Sequence, residues 1–204
     1  MTTEKIIEDL ISRFAKLPTV GRKSATKIVY RLLADKDRLQ AKYLATAIQE
    51  AVENIHHCEV CNTLTESHIC KICNNPRRMQ QKSILVVSSP IDVENMEAFG
   101  VFEGTYFVLN GLISPLEGIT PEQAGIPKFI ELLRSQQIQN VIIGLSTSAE
   151  GEATAQIIGD ICRRLHIPSQ KFATGLPSGV NFSNVDPNTI LNSFINRVAI
   201  EYDD

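Results

Sequence analysis

A multi-domain chain of α plus α/β class is predicted, on three observations. Apolar residues recur at helical spacing from Ile6 to Ile55. From Ser83 onward, short apolar runs alternate with helical stretches. Between these parts stand two Cys-x-x-Cys pairs, Cys58-Glu-Val-Cys61 and Cys70-Lys-Ile-Cys73. A length of 204 residues holds one large domain or two or three small ones. Hydrophobic content of 43% with 21% charged residues is that of an ordinary globular protein. The opening MTTEKIIEDLISRF mixes acids and bases with its apolar residues, so it is neither a signal peptide nor a membrane span. No later stretch is long and apolar enough to cross a bilayer, and a soluble cytoplasmic protein is expected.

Charge is unevenly placed. Residues 1–82 hold fourteen Lys and Arg against nine Asp and Glu, whereas residues 83–204 hold six against fourteen. The split points to a polyanion partner for the front and a different partner for the back; ordinary surface scatter is the alternative.

In the front, Ile6, Ile7, Leu10, Ile11 and Phe14 predict an amphipathic helix over residues 3–16. Pro18 ends it, and Gly21 supplies a residue that tolerates positive φ for a tight hairpin. A second helix follows, with Ala25, Ile28, Val29, Leu32 and Leu33 on one face and Lys23, Lys27 and Arg31 on the other. A third is expected from about Asp37 to Asn54, with Leu44, Ile48, Ala51, Val52 and Ile55 inward. Helix, glycine hairpin and basic helix start resemble a helix-hairpin-helix element, in which LPTVGRKSATKI parallels the pattern L-P-G-[IV]-G-x-[KR]-x-A. Such a hairpin offers backbone N–H groups to one phosphate, with Arg22, Lys23, Lys27 and Arg31 as the expected DNA-binding charges. No base readout is implied. Thr19 stands where the pattern has its first glycine. A plain helical bundle with a solvated basic face is the alternative.

Two CxxC pairs eight residues apart can close a tetrahedral thiolate cage, so Cys58, Cys61, Cys70 and Cys73 are the candidate ligands of one structural Zn2+. Two disulfides are the other possibility, disfavoured by the cytosolic character of the rest. His56, His57 and His68 lie nearby, but four cysteines already satisfy zinc. Arg77 and Arg78, beside Pro76, either touch phosphate or are solvated. Cys162 reads as a packed core residue.

In the back, strands are predicted at 83–87, 105–109, 140–145 and 171–173, and helices after Ser89-Pro90 and over 128–137 and 151–165. Alternation of β and α implies a parallel sheet with helices on both faces and a site beyond the carboxyl ends of its strands. Ser88-Ser89-Pro90 and Ser146–Glu152 therefore share one crevice. Asp186-Pro187-Asn188 reads as a turn and Thr189–Arg197 as a last helix.

Residues 146–155, STSAEGEATA, resemble the Toprim signature DxDxxGExxA of topoisomerases and primases. Residues 106–126, YFVLNGLISPLEGITPEQAGI, are similar to the segment YFVLxGxLSPLxGIGPxxIG of the RecR family of bacterial recombination mediators. With the hairpin, the short four-cysteine knuckle and the order of the parts, the resemblance spans almost the whole chain. It implies four segments: a helix-hairpin-helix DNA-binding domain over 1–54, a four-cysteine zinc finger over 55–78, a Toprim domain over 79–175 and a C-terminal Walker-B-like oligomerisation segment over 176–204. It also implies a non-enzymatic protein of DNA repair, nucleoid-associated, forming a homotetrameric ring on single- or double-stranded DNA. Such a ring works with RecO, and in many bacteria RecF, to load RecA at single-stranded gaps. Glu150 and Glu152 would line an acidic crevice for RecO; the alternative is that both merely favour a helix N-terminus.

The departures from the family matter. Ser88 stands where a catalytic Toprim site has its glutamate, and Ser146-Thr147-Ser148 where it has Asp-x-Asp. Serine hydroxyls are poor Mg2+ ligands by comparison, so no topoisomerase, primase or nuclease activity is expected. A Mg2+-dependent Toprim nuclease or primase-like enzyme is the alternative function, and a zinc-dependent adapter without DNA contact a third. In 174–186, TGLPSGVNFSNVD, Val180 and Asn181 replace the usual Gly-Glu, and no GxxxxGK[ST] pattern occurs, so ATP binding has little support.

Overall fold

The structure is a computed structural model that describes residues 3–173, 185 and 187–195. The chain forms two compact units, Met1–His56 and His57–Asp204. No helix among the described residues is long and apolar enough to cross a membrane.

The first unit is helical: α1 (Thr3–Phe14), α2 (Arg22–Ala34) and α3 (Leu39–Asn54). Its core is small. Ile11, Ala25 and Val29 are buried, with Ile7, Leu10, Phe14, Val20 and Leu33 packed around them. The expected inward face of α3 is not closed: no residue of α3 is buried, and Ile48 and Val52 are 54% and 77% exposed. The α1–α2 pair buries its own contact face but supplies no layer broad enough to cover the third helix. What remains is an open apolar groove of about 380 Å³, lined in part by Leu10, Phe14, Leu33, Leu44 and Ile48.

Two short strands, β1 (His56–His57) at the boundary of the units and β2 (Leu64–Thr65), pair. Helix α4 (Pro76–Gln80) follows the last cysteine of the knuckle, capped by the Asn75 side chain. The α/β part then runs β3 (Ser83–Val87), α5 (Pro90–Phe99), β4 (Thr105–Val108), α6 (Ile126–Ser135), β5 (Asn140–Gly144), α7 (Ala149–Arg164) and β6 (Ser169–Lys171). All four strands are parallel, in the order β4-β3-β5-β6. Side chains alternate between the two faces of the pleat. Ile84, Val86, Val141 and Ile143 meet Phe129 of α6 and Ile158 and Cys162 of α7, whereas Leu85, Val87, Tyr106 and Val108 meet Val93 of α5. Burial on both faces explains why the SILVV run of β3 is apolar without alternation.

A last helix, α8 (Pro187–Ile195), begins two residues before its expected start. Pro187, expected in a turn, is its first residue, where the missing N–H is not needed. Residues 174–184 and 186, with the Val180-Asn181 departure, lie outside the described residues.

Candidate functional site

Cys58, Cys61, Cys70 and Cys73 are all buried, and their sulfurs lie within 4.8 Å of one another. None is in a disulfide: Cys61 Sγ and Cys70 Sγ are 3.6 Å apart, against a bond of about 2 Å. Local backbone geometry aims them inward. The Cys70 N–H donates to Cys58 Sγ and the Cys73 N–H to Cys70 Sγ. Asn62, at positive φ, turns the chain after the first pair. Packed this closely, the thiols conflict. Hydrogen bonding with Cys70 pushes the Cys61 thiol up, and hydrogen bonding with Cys61 and Cys70 does the same to Cys73. Cys70, hydrogen-bonded by both, is held down by the same contacts. A dication resolves the conflict, because coordinated thiols are deprotonated outright. Four soft, buried donors fit one zinc ion, and a set of four thiolates leaves no open position for catalysis. The site is therefore one structural zinc centre. No histidine joins the cluster: His57 Nδ1 donates to the Asn62 carbonyl, and His68 Nδ1 pairs with Glu59.

The knuckle is fastened to the α/β sheet. The Val108 N–H at the end of edge strand β4 donates to the Cys61 carbonyl (2.8 Å), and Asn62 Nδ2 reaches Val108 O and Asn110 Oδ1. Lys128 Nζ donates to the Cys58 carbonyl. Val60 and Ile72, each between a cysteine pair, pack against the two sheet cores. Arg78 is neither solvated nor free for phosphate. It makes a two-pronged pair with Glu97 (2.8 Å each) and donates to the Gly104 carbonyl. Glu97 also accepts from the Tyr106 hydroxyl, whose pKa burial and the carboxylate push up.

In the hairpin between α1 and α2 the positive φ falls on Thr19 (65°), not on Gly21, which is extended at φ −76°. The glycine of the family pattern thus marks a left-handed position that a β-branched residue occupies here at a cost. A Cβ on Gly21 would meet nothing within 4 Å, so the start of α2 is open. Arg22 pairs with Glu8 of α1, a partner the sequence pattern did not reveal. Lys23, Lys27 and Arg31 are exposed and form no ion pair among the described residues.

Beyond the carboxyl ends of β3 and β5, three expected metal-ligand positions carry hydroxyls engaged elsewhere. Ser88 Oγ donates to Asp92, which also accepts from the Ser89 N–H in a capping box for α5. Ser146 and Ser148 hydroxyls hydrogen-bond each other at 3.0 Å, and Ser148 accepts from the Gly151 N–H to cap α7. Gly151 is required there, since a Cβ would lie 2.1 Å from the Ser146 carbonyl oxygen. Glu152 is paired with Lys171 of β6 (2.9 Å), which sequence reasoning missed because the residues lie nineteen positions apart. Glu150, half-buried, forms no ion pair among the described residues. Glu152, Gln156, Ser169 and Lys171 border an open groove of about 540 Å³. Among the described residues, only the four cysteines gather three or more metal-ligating groups.

Comparison with known families matches three parts of the chain. The helix-hairpin-helix model of RecR matches residues 7–52, the four-cysteine zinc-finger domain model of RecR matches residues 55–75, and the Toprim domain model matches residues 82–173. Matching the three in this order, the chain belongs to the RecR family, whose domains support a role in DNA repair and recombination.

Proposed function

We propose that this protein is a non-enzymatic DNA-binding clamp that acts with RecO, and with RecF, to load RecA at single-stranded gaps. The observation that carries the reading is the stripe of Lys23, Lys27 and Arg31. These exposed cations, without acidic partners among the described residues, follow an open helix start. A phosphate seated there accepts backbone N–H groups, and the lysines neutralise its neighbours, so binding is independent of sequence. One chain makes few such contacts; closure into a homotetramer multiplies them through effective concentration. Glu150 and Glu152 form the RecO contact, with Lys171 setting the charge of the groove beside them. Mg2+ chemistry at the crevice needs clustered carboxylates, and Ser88, Ser146 and Ser148 occupy those places.

The test is DNA binding by the purified protein across a salt series, with and without RecO, while the complex is sized. Steep salt dependence in a multimer is expected. Lys23→Ala with Lys27→Ala should lower the slope by about two for each protomer that engages the DNA, without unfolding. Gly21→Ala should fold normally, its Cβ lying in open space, yet bind DNA more weakly. Mg2+-dependent cleavage abolished by Glu152→Ala would replace this reading with a Toprim nuclease or primase-like enzyme. Binding that is absent or indifferent to salt would favour an adapter.

A further inference from the structure

We infer that Tyr30 stacks on an unpaired base and makes the α2 face selective for single-stranded over duplex DNA. The inference rests on the reading of that face as the DNA contact. Tyr30 follows Lys23 by seven residues and Lys27 by three, the spacing that keeps side chains on one face of a helix. Its position lies about 10 Å along the axis from Lys23 and about 4.5 Å from Lys27. The side of α2 that packs into the unit carries Ala25, Val29 and Leu33 instead. Tyr30 is 58% exposed, and its hydroxyl has no hydrogen-bond partner among the described residues, so packing of this unit does not account for it. Thr26, one turn back, turns its hydroxyl onto the Arg22 carbonyl and does not compete for the same face.

A ring in this place has a specific use. Phosphates held by the start of α2 and by Lys23 and Lys27 lay the strand along the helix. In a duplex the bases face their complements and are already stacked. In a single strand a base can rotate toward the protein, and Tyr30 is the aromatic surface it meets. Stacking tolerates every base, because each has a π face, so the gain is in strand state and not in sequence. Neighbouring Lys27 and Arg31 attract the phosphates on either side of the stacked nucleotide.

The experiment is fluorescence anisotropy on the full chain with three probes: oligothymidylate, a duplex of equal length, and an abasic oligomer carrying the same phosphates. Tyr30→Ala should weaken oligothymidylate binding about ten-fold and leave duplex and abasic binding within about two-fold. Tyr30→Phe should retain wild-type binding, and Tyr30→Trp should match or exceed it. Tyr43→Ala, removing an exposed ring from α3, should change nothing. Equal losses on all three probes, no loss on oligothymidylate, or an equal loss from Tyr43→Ala would overturn the inference. So would a change in self-association with DNA binding intact, which would make Tyr30 a protein contact. The two readings separate through Lys23→Ala with Lys27→Ala. If that variant binds every probe as wild type does, the DNA face itself is wrong and the stacking falls with it. If it loses every probe while Tyr30→Ala does not discriminate, the stacking alone fails.

Discussion

In the first unit Ile11, Ala25 and Val29 are the buried apolar side chains among the described residues, whereas in the second every residue of β3 from Ile84 to Val87 is closed off. The helical unit keeps its chemistry on the outside, as cations, an open hairpin and apolar side chains of α3 left exposed. The α/β unit turns its chemistry inward, into a buried thiolate cage and a half-buried Arg78–Glu97–Tyr106 cluster. The contrast teaches that surface features of the first are replaceable without loss of fold, while paired groups of the second hold it together.

The largest expected effect breaks the inward side. Cys58→Ser should lose zinc and lower the stability of the second unit by on the order of several kcal/mol, since metal binding and local folding are coupled. Metal content and a thermal melt with and without chelator measure it, and unchanged stability after metal removal would refute a structural ion. Next, Arg78→Ala should cost about 2 kcal/mol by denaturant titration, because it leaves the Glu97 carboxylate half-buried with only the Tyr106 hydroxyl. A loss no larger than that of an exposed ion pair would place Arg78 with the surface residues.

A smaller effect depends on pH. Burial pushes the Cys162 thiol up to about 11, so the fold keeps the neutral form. Its stabilisation is complete below the unfolded thiol value of about 8.5 and is lost as pH rises toward about 11. Stability should therefore fall less steeply across this window in Cys162→Ala than in the wild type, and equal slopes would contradict a buried thiol. The smallest effect lies on the outward side and has the opposite sign. Thr19→Gly should raise stability by about 1 kcal/mol or less, as relief of the left-handed strain outweighs the glycine's greater unfolded-state entropy. Destabilisation would show that the threonine side chain contributes more than its backbone costs.

Periodicity made most elements legible. The apolar spacing of Ile7, Leu10, Ile11 and Phe14 marked α1, and the SILVV run marked the central strand to the residue. The same rule misread α3, because an amphipathic pattern states that a face is apolar and not whether its own unit covers it. Within the hairpin, Gly21 was the obvious candidate for positive φ, yet Thr19 carries it. A motif gives residue types at positions, whereas the handedness of each position follows from how the two helices close. Arg78–Glu97 and Glu152–Lys171 each join residues nineteen apart, and Asn62 reaches Asn110 across forty-eight. No local pattern carries such pairings.

The sequence by itself determined the types of the longer helices and of the sheet strands, together with the four zinc ligands, because each depends on residue identity at short spacing. Tertiary structure decided which charges remain available. It closed Arg78 onto Glu97, set Lys171 against Glu152, placed Arg22 beside Glu8 at the surface and left Lys23, Lys27 and Arg31 exposed. The physical reason is that a side chain's charge is local, whereas its neutralisation depends on what the fold brings within reach.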